Sequence, residues 1–301
     1  MAELKPACVR VPASTANLGP GFDCLGLALD MWNEVHFTPG GSGYRVEIEG
    51  EGAGHLVQDR SNLIFQAMEK LFAVEGAAFP KGLTLRCKNA IPISSGLGSS
   101  ASAVIAGLLG AKHLLNSDIS NHVLLNLAAD FEGHGDNVAA CLYGGLVAAL
   151  RTEKDWIAEK IPMQPLHAVI VLPEIQLSTR EARAVLPQTV SRADAIGNIG
   201  RAVLLTNALR DGRRDLFRTA MQDCLHQPFR LPLMPGATEA LQIAYDSGAY
   251  GAALSGAGPS LIAFADDKLG AIGRAMQAAY QVKGISSRIF FTYSTNLGAA
   301  Y

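Results

Sequence analysis

The residues whose types and spacing best suit chemistry lie in Pro92–Ser102, PISSGLGSSAS, where two glycines and five serines separate a strand-like run from an apolar helix-like run. Three chemistries compete for it. The stretch could be a plain strand-to-helix turn with Ser99 or Ser100 as an N-cap. It could be a dinucleotide fingerprint, because Gly96-x-Gly98-x-x-Ala101 fits G-x-G-x-x-A. That fingerprint needs a second strand ending in an acidic residue ~20 positions on, whereas the first acidic residue downstream, Asp118, opens the helical pattern ISNHVLLNLAADF. The third chemistry is a phosphate cradle. Glycine lets the backbone approach closely, successive N–H groups and the positive end of a helix dipole face the anion, and a serine hydroxyl reaches the accompanying metal. The loop lacks the lysine of G-x-x-x-x-G-K-[ST] and so is not the common nucleoside-triphosphate loop.

The elements around the loop must hold it still. The run after it, SSASAVIAGLLGAKHLL, is apolar on nearly every side, which predicts a buried helix and a rigid anion hole. Before residue 150 the chain alternates strand-like runs (ACVRVPAS, NEVHFTP, YRVEIEG, GLTLRC) with helices starting near Ser61, Ser99 and Asp118, and closes on YGGLVAAL. The pattern then changes, which predicts domains at 1–155 and 156–301. The second half reads as a strand HAVIVLP, helices near 179–186, 191–211, 213–224 and 236–247, short strands YGAALS and SLIAFA, a helix over 267–282 and a strand SSRIFFTY. That order suits an α/β layer on an antiparallel sheet.

Composition bounds the partners. A chain of 301 residues, 49% hydrophobic and 17% charged, can bury one large core or two smaller ones. A net charge of −2, with no basic run interleaved with aromatics, disfavours nucleic acid. MAELKPACVRV lacks the apolar core of a signal peptide, and stretches such as AVIAGLLGA are too short to span a bilayer, so the expectation is a cytoplasmic protein without a membrane partner. Cys8, Cys24, Cys87, Cys141 and Cys224 show no zinc-ligand spacing and read as reduced, mostly buried thiols. The oligomeric state is not written in the sequence, and a homodimer is left open.

PISSGLGSSAS resembles the nucleotide-binding motif of the kinase superfamily named for galactokinase, homoserine kinase, mevalonate kinase and phosphomevalonate kinase. Two further signatures of that superfamily flank it, VRVPASTANLGPGFDCLGLALD on the N-terminal side and GAALSGAGPSLIAF on the C-terminal side, so that the three span residues 9 to 264 in order. STANLGPGFDCLG and EGHGDN most resemble the homoserine kinase branch. The resemblance implies an α+β, two-domain fold: an N-terminal domain with a left-handed βαβ crossover, against the usual right-handed rule, and a ferredoxin-like C-terminal domain. It implies an ATP- and Mg²⁺-dependent phosphotransferase acting on the side-chain hydroxyl of L-homoserine.

Carried over residue by residue, the resemblance places ATP on Pro92, Ile93, Ser94, Ser95, Gly96, Leu97, Gly98, Ser99, Ser100, Ala101 and Ser102, with Asn62 near the adenine and Lys88 near the phosphates. Ser100 and Glu132 are implied as the catalytic magnesium ligands, an oxygen pair whose remaining partners are water and phosphate. The substrate falls to Asn17, Asp23 for the ammonium, Asn137, and Arg183 with Arg230 for the carboxylate. Asn17 and Asp23 also read as plain turn residues, since Asn-Leu-Gly-Pro-Gly is strong turn chemistry. Ser178 and Glu181 form a capping box that presents Thr179 and starts the helix carrying Arg183. His134 is expected to order its loop, Asp136 is the one local candidate for a base and is left unassigned, and Gly135, where the family usually has proline, is expected to loosen the loop carrying Asn137. Gly256 and Gly258 fit either a close approach to the site or a tight turn between strands. Two rivals remain: a kinase of the same superfamily acting on another small alcohol, such as mevalonate, which has no ammonium for Asp23, and a non-catalytic sensor of ATP or metabolite.

Overall fold

A computed structural model describes residues 5–301. Its first sheet is built around one long strand. β1 (Ala7–Asn17) pairs antiparallel along most of β2 (Gly21–Pro39), and the sheet runs β3 (Gly43–Gly50), β4 (Gly82–Asn89), β2, β5 (Leu146–Arg151), β6 (Trp156–Ile161). β3 and β4 are parallel and are joined through α1 (Leu63–Val74). A register shift between Pro12 and Ala13 bends the β1–β2 ribbon, so its two ends serve different parts of the sheet. α2 (Ser99–Leu115), α3 (Asn121–Glu132) and α4 (Asp136–Tyr143) complete this half. α2 is buried nearly all round, from Ala101 to Leu114, as its composition predicts.

The second sheet has the order β10 (Ser287–Tyr293), β7 (His167–Pro173), β9 (Leu261–Phe264), β8 (Gly251–Leu254), all antiparallel. Helices connect its first strand to its second and its third to its fourth, which is the split βαβ arrangement of a ferredoxin-like domain. The helices are α5 (Thr179–Ala184), α6 (Arg192–Asp211), α7 (Phe217–Ala220), α8 (Gln227–Arg230), α9 (Ala237–Asp246) and α10 (Leu269–Val282). Val169 and Val171 of β7 face α9 and α10, whereas Ala168 and Ile170 face the other way. That second face shares one core with Leu25, Leu27, Leu29 and Leu97 of the first half. The two halves are therefore packed on each other through side chains of core character.

Four sequence expectations change. The boundary at 155/156 fails because Trp156–Ile161 is β6, paired with β5; the crossing lies at 162–166. As an edge strand with Ile157 and the consecutive Glu159 and Lys160 all exposed, β6 looks like a linker in sequence. The chain after β10 also returns to the first half, where Ala300 bridges Arg10. FDCLGLALD, unread as a strand, is the first half of β2. The helix expected over 213–224 stops at Ala220 after a 3-10 turn at Arg214–Leu216. The Asp223 carboxylate instead accepts the N–H groups of Leu225, His226 and Gln227 and starts α8. The five cysteines are free, but only Cys87 and Cys141 are buried. Among the described residues no helix is long and apolar enough to cross a membrane.

Candidate active site

The three motifs meet at one point, joined by backbone. Ser14 N–H donates to Leu97 O (3.1 Å), Gly256 N–H to Ala16 O (3.1 Å) and Ser260 N–H to Ser95 O (3.2 Å). The approach is too close for side chains. Gly96 has φ +78° and a Cβ there would lie 2.2 Å from Ser255 O; Gly98 has φ +72° and its Cβ would lie 2.1 Å from Ser14 Oγ. Gly256 and Gly258 thus fulfil both readings, a tight β8–β9 turn that is also pressed against the glycine loop.

Gly98 is the N-cap of α2, and among the described residues no side chain caps the helix. The N-cap reading of Ser99 and Ser100 therefore fails. The N–H groups of Ser99, Ser100 and Ala101 have no acceptor among the described residues and line a cavity of about 270 Å³. Three orphan donors at the positive end of a rigid helix form an anion site. Beside them Ser100 Oγ donates to Glu132 Oε1 at 2.6 Å, joining the first turn of α2 to the last residue of α3. Two hard oxygens facing a cavity that admits water and phosphate match the donor set of Mg²⁺. His134 Nδ1 lies 2.8 Å from Asp136 Oδ1 and its Nε2 4.0 Å from Glu132. Burial works against a charged His134, but the Asp136 hydrogen bond and the charges of Asp136 and Glu132 outweigh it and raise the pKa.

The opposite wall of the same cavity is basic. Arg230 is 1% exposed, with Nε donating to Ala182 O (3.0 Å) and Nη1 to Gly256 O (3.2 Å); Nη2 has no partner among the described residues. Among the described residues no carboxylate touches it. Burial, reinforced by the charge of Arg183, brings its pKa down to about 10, so it stays cationic at neutral pH. Arg183, by contrast, is already paired: Nη1 and Nη2 donate to the two Asp23 oxygens at 2.8 Å each. Asn17 is 3% exposed; its amide donates to Gly256 O (2.8 Å) and accepts from Asp23 N–H (3.0 Å). The turn reading accounts for both polar ends of Asn17, although the residue still lines the cavity. Asn137 also lines it, with Oδ1 held by Ser14 Oγ at 2.9 Å.

A second cavity, of about 360 Å³, shares Ser94, Ser99 and Ser100 with the first and is walled by Val35, Ile48, Leu56 and Cys87. Asn62 lines it while capping α1, accepting from Ile64 N–H and donating to Val57 O. Ile93 and Ser102 reach it too, whereas Leu97 is buried in the core and Pro92 offers its carbonyl to Ser95 Oγ. Lys88 does not reach it. Along β4 Cys87 and Asn89 face the cavity, so Lys88 projects from the opposite face, where its ammonium lies 3.6 Å from Glu34. The expected phosphate contact of Lys88 is withdrawn on that geometry.

Gly135 does not loosen a loop. Asn137 stands in the first turn of α4, and the space a side chain would take at 135 is filled by the Trp156 ring, with a Cβ falling 2.7 Å from it. Trp156 cannot yield easily, because its backbone N–H and carbonyl are both held by the Asn126 amide and its indole N–H donates to Asp130 Oδ1 at 3.2 Å. Gly135→Ala is expected to lower stability by about 1–3 kcal/mol through overpacking. Thermal denaturation checks it, and Trp156→Phe in the same chain should recover part of the loss. An unchanged Tm would remove the Gly135–Trp156 fit.

Sequence reasoning missed His226, Asp223 and Ser14, which support the site from behind. Their signal lay only in nearness to Arg230 and to the TAN turn, which the sequence does not weight.

Comparison with known proteins gives one family. The description of the GHMP kinases N-terminal domain matches residues 62–145, and that of the GHMP kinases C-terminal domain matches residues 205–282. A homoserine kinase of Prochlorococcus marinus (strain MIT 9301) is 42% identical over 97% of this chain and 95% of its own length. One from Moorella thermoacetica is 41% identical over 97% and 98%. The crystal structure of a homoserine kinase from Cytophaga hutchinsonii superposes with a TM-score of 0.86 at 30% identity, covering 100% of this chain and 98% of that one. The L. major mevalonate kinase, at 18% identity and a TM-score of 0.72, shares the fold. Three motifs knit into one site, and near-full-length relatives bearing a single name, lead to the same conclusion: the chain belongs to the homoserine kinase family of the GHMP kinases.

Proposed function

We propose that this chain transfers the γ-phosphoryl group of ATP to the side-chain hydroxyl of L-homoserine, giving O-phospho-L-homoserine for threonine synthesis, and that it does so in the cytoplasm. The observation that carries this reading is the sequence of environments across two adjoining cavities: an apolar pocket, an uncapped helix N-terminus, a hydroxyl–carboxylate oxygen pair and a buried guanidinium without a carboxylate partner among the described residues.

In this reading the adenine occupies the apolar pocket beside Asn62, and the phosphates take the N–H groups of Ser99, Ser100 and Ala101. Ser100 and Glu132 hold Mg²⁺, which when bound offsets charge on the transferring group. Arg230 receives the substrate carboxylate. Homoserine is a zwitterion, so it can replace the internal Asp23–Arg183 pair, ammonium to Asp23 and carboxylate to Arg183, without leaving either charge unmatched. Asn137 then lies beside the hydroxyl. The transition state of phosphoryl transfer is loose, and positioning with charge neutralisation carries most of the rate. Asp136 Oδ1 is already committed to His134 and to Asn137 N–H, which supports an ordering role for that carboxylate.

An ADP-release assay tests the reading against its rivals. Homoserine is expected to stimulate release, and an analogue with hydroxyl and carboxylate but no amino group to be at least about 10²-fold poorer in kcat/KM. Equal turnover of the two would return mevalonate-like substrates, and no release with either would favour a sensor.

A further inference from the structure

Behind Arg230 lies a buried ionisable side chain that the reaction as described does not use. His226 is fully buried, its ring stacked on Phe22 at 5.2 Å and 22°, and Phe22 also underlies the Arg230 guanidinium at 5.1 Å. The two ring nitrogens of His226 meet opposite partners. Nε2 lies 2.8 Å from the carbonyl oxygen of Gly19 and 3.5 Å from the Asp223 carboxylate, groups that only accept, so Nε2 carries the proton. Nδ1 lies 3.3 Å from Arg230 Nη1, which only donates, so Nδ1 must present its lone pair. A single neutral tautomer satisfies both ends. Burial, with the Arg230 charge, lowers the imidazole pKa against the pull of Asp223, in keeping with that neutral form.

We propose that His226 is a positioning residue for the substrate carboxylate, locked as the Nε2–H tautomer between Gly19 and Arg230 so that it aims the guanidinium into the cavity. This rests on the reading that Arg230 binds that carboxylate. The chemistry explains why a histidine stands there. Arg230 must be oriented without being neutralised, since an acidic partner would compete with the substrate as Asp23 does at Arg183. Its protein partners are accordingly neutral acceptors: Ala182 O, Gly256 O and His226 Nδ1. Through Gly19 the same imidazole ties Arg230 to the turn that leads into Asp23 on β2, which sets the spacing of the two groups that would meet the substrate's opposite charges.

Two variants separate positioning from plain structure. His226→Asn places an amide oxygen where Nδ1 was and forfeits the bond to Gly19. His226→Gln keeps an N–H within reach of Gly19 and forfeits the acceptor for Arg230. His226→Gln is expected to raise KM for homoserine about tenfold or more, with the change mainly in KM rather than kcat and with KM for ATP little moved; His226→Asn should stay within about threefold while losing more thermal stability. Equal KM changes in the two variants, or KM changes that follow Tm, would overturn the proposal. In the free enzyme at neutral pH, ¹⁵N NMR of the histidines should show His226 as the neutral Nε2–H form, and an Nδ1–H form or an imidazolium would overturn it independently of substrate. If Arg230→Met leaves KM for homoserine unchanged, the underlying assignment of Arg230 has failed, and that failure is separable from the NMR result.

Discussion

Glu132→Gln is expected to lower kcat by about 10²–10³-fold while ATP affinity changes by only about threefold or less. Glutamine preserves the volume and an acceptor for Ser100 Oγ, which now lies 2.6 Å from Oε1, but removes the negative charge. On the proposed assignment, what is lost is a charge acting on the transferring phosphoryl group, while the orphan N–H groups of α2 would still hold the nucleotide. Stability should not fall with activity. Glu132 ends α3, where the helix dipole disfavours a carboxylate, so the variant should melt at the same temperature or slightly higher. Single-turnover kinetics with equilibrium ATP binding and a melting curve form the test. Near-normal turnover, or parallel losses in affinity and turnover, would remove Glu132 from the metal site.

Arg230→Met is expected to raise KM for homoserine by about 30-fold to several thousand-fold, with KM for ATP almost unchanged. The range follows from removing the charged partner of a carboxylate at a desolvated site. Methionine fills much of the space and leaves Ala182 O short of its side-chain donor, while Gly256 O keeps the Asn17 amide, so some loss of Tm accompanies the change. Arg183→Ala should cost far less, about tenfold at most, because that guanidinium is more than a third exposed and already paired with Asp23. Steady-state kinetics on both variants settle the order. A larger effect at Arg183 would make it, rather than Arg230, the chief partner of the carboxylate, and weakened ATP binding at Arg230 would place that residue among the phosphates.

What the sequence made legible was chemistry concentrated in short motifs. PISSGLGSSAS announced an anion site because glycine spacing and a following apolar helix are local facts, and EGHGDN pointed to Glu132, which the fold brings against Ser100. β7 and β10 were readable from runs rich in β-branched and aromatic residues, and the start of α5 from the Ser178–Glu181 capping box. Lys88 went wrong for the reason that period two makes decisive: a one-residue step along β4 changes the face, and nothing in GLTLRCKN says which face looks on the cavity. β6 was lost because its outward charges imitate a linker, and α4 because EGHGDN looks like turn chemistry until Trp156 is seen packed over Gly135. The pairing of Asp23 with Arg183 spans 160 positions and has no local trace.

The core that Leu25, Leu27, Leu29 and Leu97 share with Ala168 and Ile170 has a further consequence, for how the chain comes apart. Neither half owns that apolar surface outright, so separating them exposes it to water on both sides at once. Loss of one half removes the template on which the other is packed, and unfolding becomes a single cooperative event although two domains can be drawn. The cavity opens at the rim of this joint, with Asp23 and Glu132 from one half and Arg183 and Arg230 from the other. A ligand that bridges them therefore acts as a clamp on the whole molecule, and its binding free energy adds to global stability by mass action rather than to that of one domain.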